Sequence, residues 1–188
     1  MKRAAFLIFS LLLLTAFSFA QGQAPSGPPT VTMVLDRQLS GVEREFVPLV
    51  EAMPDAKFEY APTNGEFKGV RNFSEMARHV AATNYMIGAA MLNEKAPVDL
   101  GKGENGPELK TKAEVVKFAK DSFAYLHKAI ATVNDKNQVE LIDGPFGGKG
   151  TRLGMAVLAV GHTFDHYGQM VEYLRSNGII PPASRQQQ

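Results

Sequence analysis

The sequence has no cysteine in 188 residues and only four histidines. Without cysteine there is no disulfide, no thiolate metal site and no lipid attachment at a processed N-terminus. Any soft-metal centre must therefore be built from imidazole. Excess charge is missing as well: 20 Lys+Arg against 19 Asp+Glu leave a net charge of +1. Such a chain has no electrostatic footprint for nucleic acid or for an anionic membrane, so no nucleic-acid partner is expected. No internal repeat is visible.

The N-terminus is apolar. Lys2-Arg3 is followed by Ala4 to Ala20, an almost wholly apolar stretch that includes Leu11-Leu12-Leu13-Leu14. Ser18-Phe19-Ala20 supplies the small-x-small pattern at which signal peptidase cuts. The apolar core is too short, and too soon followed by polar residues, to serve as a membrane span. Residues 1–20 read as a signal peptide, and the chain as one exported to the periplasm or the extracellular space, with no stable membrane anchor after cleavage. Cleavage removes Lys2 and Arg3 and no acid, so the net charge moves from +1 to −1. About 168 residues (188 − 20) remain, enough for one domain with a sizeable core.

Residues 21–32 open on the Pro/Gly/Ser-rich QGQAPSGPPT and read as a flexible lead-in. Four helical segments follow. Leu35, Leu39, Val42, Phe46, Leu49 and Met53 recur at steps of four and three, predicting a helix over 33–53 that Pro54 stops. A second is expected over 73–92, with Asn72 as N-cap and Glu75 three residues on. A third, over 112–133, opens on the capping box Thr111-Lys112-Ala113-Glu114; its inner stripe is Val115, Phe118, Ser122, Leu126, Ala129 and Val133. The fourth, over 151–176, ends at Asn177-Gly178 with Pro181-Pro182 beyond. The connections 54–71 and 96–110 are long, and Val139 to Ile142 reads as a short extended piece. The expected fold is all-α: a four-helix bundle with long crossover loops over 33–184, and a disordered tail at 185–188.

Three of the four histidines fall where such a bundle can use them. His162 and His166 are one turn apart on the fourth helix, so their imidazoles project from one face. His79 flanks the apolar arc of the second helix. A facial set of three nitrogens from facing helices would hold an ion and leave positions open for water or substrate. Leu153, Val157, Val160, Phe164, Val171 and Leu174 gather opposite the histidine pair, predicting a fourth helix packed on two sides. Asn84 falls inside the apolar arc of the second helix, where an unpaired amide costs about 1–3 kcal/mol. A metal ligand or bound substrate is its expected partner. Asn84, Gln169 and Tyr173 are the candidates to orient ligands or substrate around the ion. Asp165 turns outward. His127, beside Lys120 and Lys128, is expected to face solvent.

Two other patterns need a reading. Gly144 to Thr151 opens a helix after a possible strand, but its spacing departs from a phosphate loop, with Gly150 between Lys149 and Thr151. It reads as a flexible loop. Gly154, Gly161 and Gly168 recur every seven residues on the fourth helix. They point either to a second subunit approaching the backbone, as in a homodimer, or to tolerance on a solvent strip.

The stretch Gly161-His162-Thr163-Phe164-Asp165-His166-Tyr167-Gly168-Gln169-Met170-Val171-Glu172-Tyr173-Leu174-Arg175, followed by Gly178 and Pro181-Pro182, resembles the closing helix of the DinB-like (YfiT-like) family. The Met53-Pro54 break and the place of His79 near the start of the second helix fit the same family. The resemblance covers roughly residues 33–184. It implies an up-down-down-up bundle whose His triad, here His79, His162 and His166, holds a divalent ion, commonly nickel, zinc or iron. Relatives include thiol-dependent transferases and a mycothiol-dependent maleylpyruvate isomerase. The leading expectation is a metal-dependent enzyme of transferase or hydrolase type acting on a small molecule. The alternative is a non-catalytic metal- or small-ligand-binding module of the cell envelope. On the leader reading, N-terminal sequencing of the exported protein finds a mature chain beginning near Gln21; an intact Met1 contradicts it.

Overall fold

The computed structural model describes residues 27–102 and 104–185. The expected leader 1–20, most of the lead-in and the tail beyond Arg185 lie outside the described residues. Each of the four long helices starts where a side chain meets the free N–H groups of its first turn. Helix α1, Val31–Ala52, is capped by Thr30, whose hydroxyl accepts from the Met33 amide at 3.2 Å. It begins two residues earlier than expected, which ends the lead-in at Thr30. Helix α2, Phe73–Leu92, opens on a complete capping box: Asn72 and Glu75 each accept the other's backbone N–H. Thr111 and Glu114 do the same for α3, Lys112–Ile130.

Between α3 and the last long helix lies a two-stranded antiparallel hairpin, β1 Leu141–Asp143 and β2 Lys149–Thr151. The glycines that resemble a phosphate loop form its turn, with Gly147 and Gly148 at φ +88° and +74°, where a side chain would be strained. The segment is thus a built hairpin and not a flexible loop. Helix α4, Arg152–Ser176, follows directly, capped by Thr151, and a short α5, Pro182–Arg185, ends the described chain.

Cross-helix pairs fix the topology. Asn84 meets Ser122 and Glu94 meets both Tyr125 and Lys128, so α2 and α3 run parallel. Lys120 pairs with Glu51 while His127 reaches Asp36, so α1 runs against α3. Tyr173 bonds the Arg71 carbonyl and Arg152 bonds that of Met91, so α4 runs against α2. The order is up-down-down-up, as the family resemblance implies. The core between the layers is apolar and closed, with Phe46, Phe73, Phe123, Leu39, Met53 and Leu126 fully buried and Phe46 and Phe123 tilted at 5.9 Å.

Three expectations require correction. Helix α3 ends at Ile130, not 133, because a tight turn follows in which the Val133 amide bonds the Ile130 carbonyl. Val133 still seals the core. On α4 the buried stripe is Ala156, Ala159, Thr163, His166, Met170, Tyr173 and Leu174. Of the expected aliphatic set Leu174 is buried and Leu153, Val160 and Val171 pack partly against the core, but Val157 and Phe164 are 57% and 41% exposed. Small side chains let α4 lie close to both α1 and α2, and steps of three and four keep that stripe facing them. Gly161 and Gly168 fall on the exposed side, with nothing within 4 Å of an added Cβ. Finally, His127 does not point freely into solvent: its ring is held between Asp36 of α1 at 2.5 Å and Glu43 at 3.0 Å. It acts as a polar strap between the two helices.

The packing predicts that Phe46→Ala lowers unfolding stability by about 3–5 kcal/mol, whereas Phe164→Ala changes it by less than about 0.5–1 kcal/mol. Denaturant titrations of the two variants check this, and equal losses would contradict the assigned face of α4.

Candidate metal centre

The antiparallel pairing of α2 and α4 sets His79 across from His162 and His166. The three Nε2 atoms turn inward: His162 Nε2 lies 3.1 Å from Nε2 of His79 and 3.1 Å from that of His166. One ligand atom from each ring falls within 4.8 Å of the others, and among the described residues this is the one cluster of His, Cys, Asp or Glu so arranged. An ion bonded to three imidazoles at about 2.0–2.1 Å holds their nitrogens about 2.8–3.4 Å apart, from octahedral to tetrahedral angles. Both His162 separations fall within that range.

Hydrogen bonding reinforces the fit. His79 Nδ1 donates to the backbone carbonyl of Glu104, which can only accept; the proton therefore sits on Nδ1 and the Nε2 lone pair faces the cluster. On His162 and His166 the outer Nδ1 atoms are buried without a partner among the described residues. In neutral rings, a proton on His162 Nε2 can serve only one of its two neighbours. A cation at the centre satisfies all three inward nitrogens at once.

Electrostatics keeps the rings ready as ligands. Burial pushes all three imidazoles below their ordinary value of 6.5. His162 falls furthest, to about 4, because burial is joined by the charges of His166 and His79. The triad is accordingly neutral near pH 7, the state in which imidazole binds metal.

The other sequence candidates divide. Tyr173 is buried further along α4, and its hydroxyl donates to the Arg71 carbonyl at 3.0 Å. Gln169 lies on the exposed side of α4, its amide donating to Asp165 at 3.1 Å, and its side chain also reaches His166, where it opposes the lowering caused by burial. Asn84 is not at the centre. It is fully buried in the α2–α3 seam, where its amide reaches Ser122 at 3.4 Å. The polar partner inferred for it is that serine, not an ion or substrate.

Sequence reasoning missed Arg71, Glu104 and Asn105. Arg71 donates from Nε to Asn105 at 2.7 Å and from Nη2 to Glu104 at 3.0 Å, tying the connection after α2 across the triad's edge. Toward His79, Glu104 acts through its main-chain carbonyl, which no side-chain pattern announces. A usable signal was Gly101 and Gly106, both at positive φ, with an added Cβ on Gly106 meeting the Arg78 carbonyl at 2.8 Å. Such glycines mark a folded loop packed on the helix. A cleft of about 490 Å³ near the C-terminal end of α2 holds none of the histidines, being lined instead by residues such as Glu94, Glu140, Lys149 and Arg152.

Fold and site together define a class: an up-down-down-up helical bundle with three converging imidazoles between its second and fourth helices. The chain belongs to the DinB superfamily, which it matches over residues 38–170. No curated protein matches it in sequence. Its fold is similar to that of a DinB-like protein from Bacillus cereus ATCC 10987, with a TM-score of 0.66 at 14% identity, over 81% of this chain and 96% of that one. A conserved protein from Enterococcus faecalis is similar at TM-score 0.63 and 15% identity, over 79% and 97% of the two chains. The mycothiol-dependent maleylpyruvate isomerase shares the fold at TM-score 0.56 and 12% identity, over 74% of this chain and 60% of that protein.

The lowered histidines carry a pH signature. Unfolded, the rings titrate near 6.5; folded, they hold protons only at lower pH. The unfolded state therefore binds more protons below 6.5, and the stability these rings contribute is complete above that pH and lost as pH falls toward about 4. Thermal melts of metal-free protein across this range should show the decline, with a shallower slope in His162→Gln. Identical slopes in the two proteins would contradict it.

Proposed function

We propose that His79, His162 and His166 hold one divalent ion (nickel, zinc or iron) and that the protein is a metal-dependent enzyme of transferase or hydrolase type. In this reading it acts on a small molecule after export to the periplasm or beyond. The convergence of three Nε2 atoms at the α2–α4 seam carries the proposal. When bound, such an ion supplies Lewis acidity and lowers the pKa of a water or thiol ligand toward neutrality.

The residues around it have separate tasks. Burial holds the three imidazoles neutral, and the Glu104 carbonyl locks the tautomer and tilt of His79. Packing of His166 on the core side of α4 fixes the third nitrogen. No aspartate, glutamate or cysteine joins the triad among the described residues. A structural ion is ordinarily closed off by a fourth protein ligand, so the three-nitrogen set favours an open, reactive site over a non-catalytic staple. Asp165, tied to Gln169 on the exposed face, is not aimed at the centre as a general base.

Metal analysis by mass spectrometry tests this on protein purified without a nickel column and then supplied with metal. About one ion per chain is expected, lost in His79→Ala, His162→Ala and His166→Ala. Less than about 0.2 ion per wild-type chain would remove the proposal.

A further inference from the structure

Arg71 places a positive charge where a cation site gains nothing from one. Its backbone is fixed to the ligand-bearing helix α4 by the Tyr173 hydroxyl, and it immediately precedes the N-cap of α2. Its guanidinium is held on one side only. Nε donates to Asn105, which donates in turn to Glu75 of the α2 capping box at 3.3 Å, and Nη2 donates to Glu104. Nη1 has no hydrogen-bond partner among the described residues, and the side chain is 23% exposed.

The fork is thus oriented with an edge left over. It also stands next to the triad, because the residue that receives Nη2 through its carboxylate receives His79 through its carbonyl. The positive field of Arg71 reaches all three imidazoles, opposing their protonation after the larger effect of burial.

A loop staple alone does not account for this arrangement. The Glu104 partner is 85% exposed, where an ion pair contributes little, and the Asn105 bond already ties the loop. A fixed cation beside a metal site repels the ion it adjoins unless an anion sits between them. A guanidinium with an open edge is the group best shaped to take a carboxylate through two parallel hydrogen bonds.

We propose that Arg71 is the substrate-binding residue for a carboxylate, and that the substrate is a small carboxylic acid whose second donor group, sulfur or oxygen, reaches the ion on His79, His162 and His166. The inference rests on the metal reading above. Two acids near the site, Glu104 and Asp165, set a limit on it: a single carboxylate fits this charge pattern better than a polyanion.

Cobalt-loaded protein provides the test, because a thiol that binds the ion adds a sulfur-to-cobalt charge-transfer band independent of any turnover. The probes are 3-mercaptopropionate and the uncharged 2-mercaptoethanol, titrated at the same pH and ionic strength. Wild type should bind the mercaptocarboxylate at least about tenfold more tightly, as a charge-assisted pair implies. Arg71→Gln should keep its cobalt and lose the preference, and Arg71→Lys should retain part of it. Equal affinity for the two thiols in cobalt-loaded wild type, or a preference that survives in Arg71→Gln, overturns the inference and leaves the metal site standing. Should Arg71→Gln fail to fold, the wild-type preference and its reduction in Arg71→Lys decide the matter. A wild-type protein that takes up no cobalt overturns the metal reading, and this inference with it.

Discussion

Three neutral imidazoles pressed together between α2 and α4 are the constraint around which this protein is arranged. Putting polar rings in a helix seam has a cost: they lose water, and their lone pairs crowd one another. The fold tolerates it because the register of the two helices is pinned on both sides of the cluster, by Tyr173 on the Arg71 carbonyl and by Arg152 on the Met91 carbonyl. With those pins in place, His79 cannot slide away from His162 and His166. A small stripe on α4, of Ala156, Ala159 and Thr163, brings the backbones near enough for the rings to meet. Local instability at the centre is offset by a closed aromatic and aliphatic core elsewhere, the usual exchange at a functional site.

The connection after α2 adds a second level of control. It folds back over the seam, presents the Glu104 carbonyl to His79 and gathers Arg71 through Glu104 and Asn105. Two glycines at positive φ, Gly101 and Gly106, let it lie flat against α2. Ligand orientation, loop position and the charge at the mouth are therefore coupled through a handful of hydrogen bonds. In the proposed function a bound ion would supply the reaction chemistry; the chain contributes the geometry and neutrality of the three imidazoles and one oriented cation.

Much of this was legible in the sequence, for identifiable reasons. The stripe from Leu35 to Met53 and the boxes at Asn72–Glu75 and Thr111–Glu114 located three helices because caps and periodicity report backbone needs that hold locally. The i, i+4 histidines announced a shared face, and His79 joined them because a bundle brings such faces together. Two positions on α4 were misread for a physical reason: apolar bulk marked Val157 and Phe164 as inward, whereas close helix packing selects small residues and leaves these two outside. His127 and Asn84 were misjudged because their partners, Asp36, Glu43 and Ser122, come from other helices and depend on how helices are paired in space. The part of Glu104 was invisible, since a carbonyl has no residue type.

X-ray absorption fine structure on zinc-loaded protein goes most directly to the central claim. The account predicts three imidazole nitrogens at about 2.0–2.1 Å, with the remaining positions filled by non-protein ligands. A spectrum dominated by carboxylate oxygens, or one with no more than a single imidazole, would show that the three rings do not share an ion and would leave the proposed chemistry without a centre.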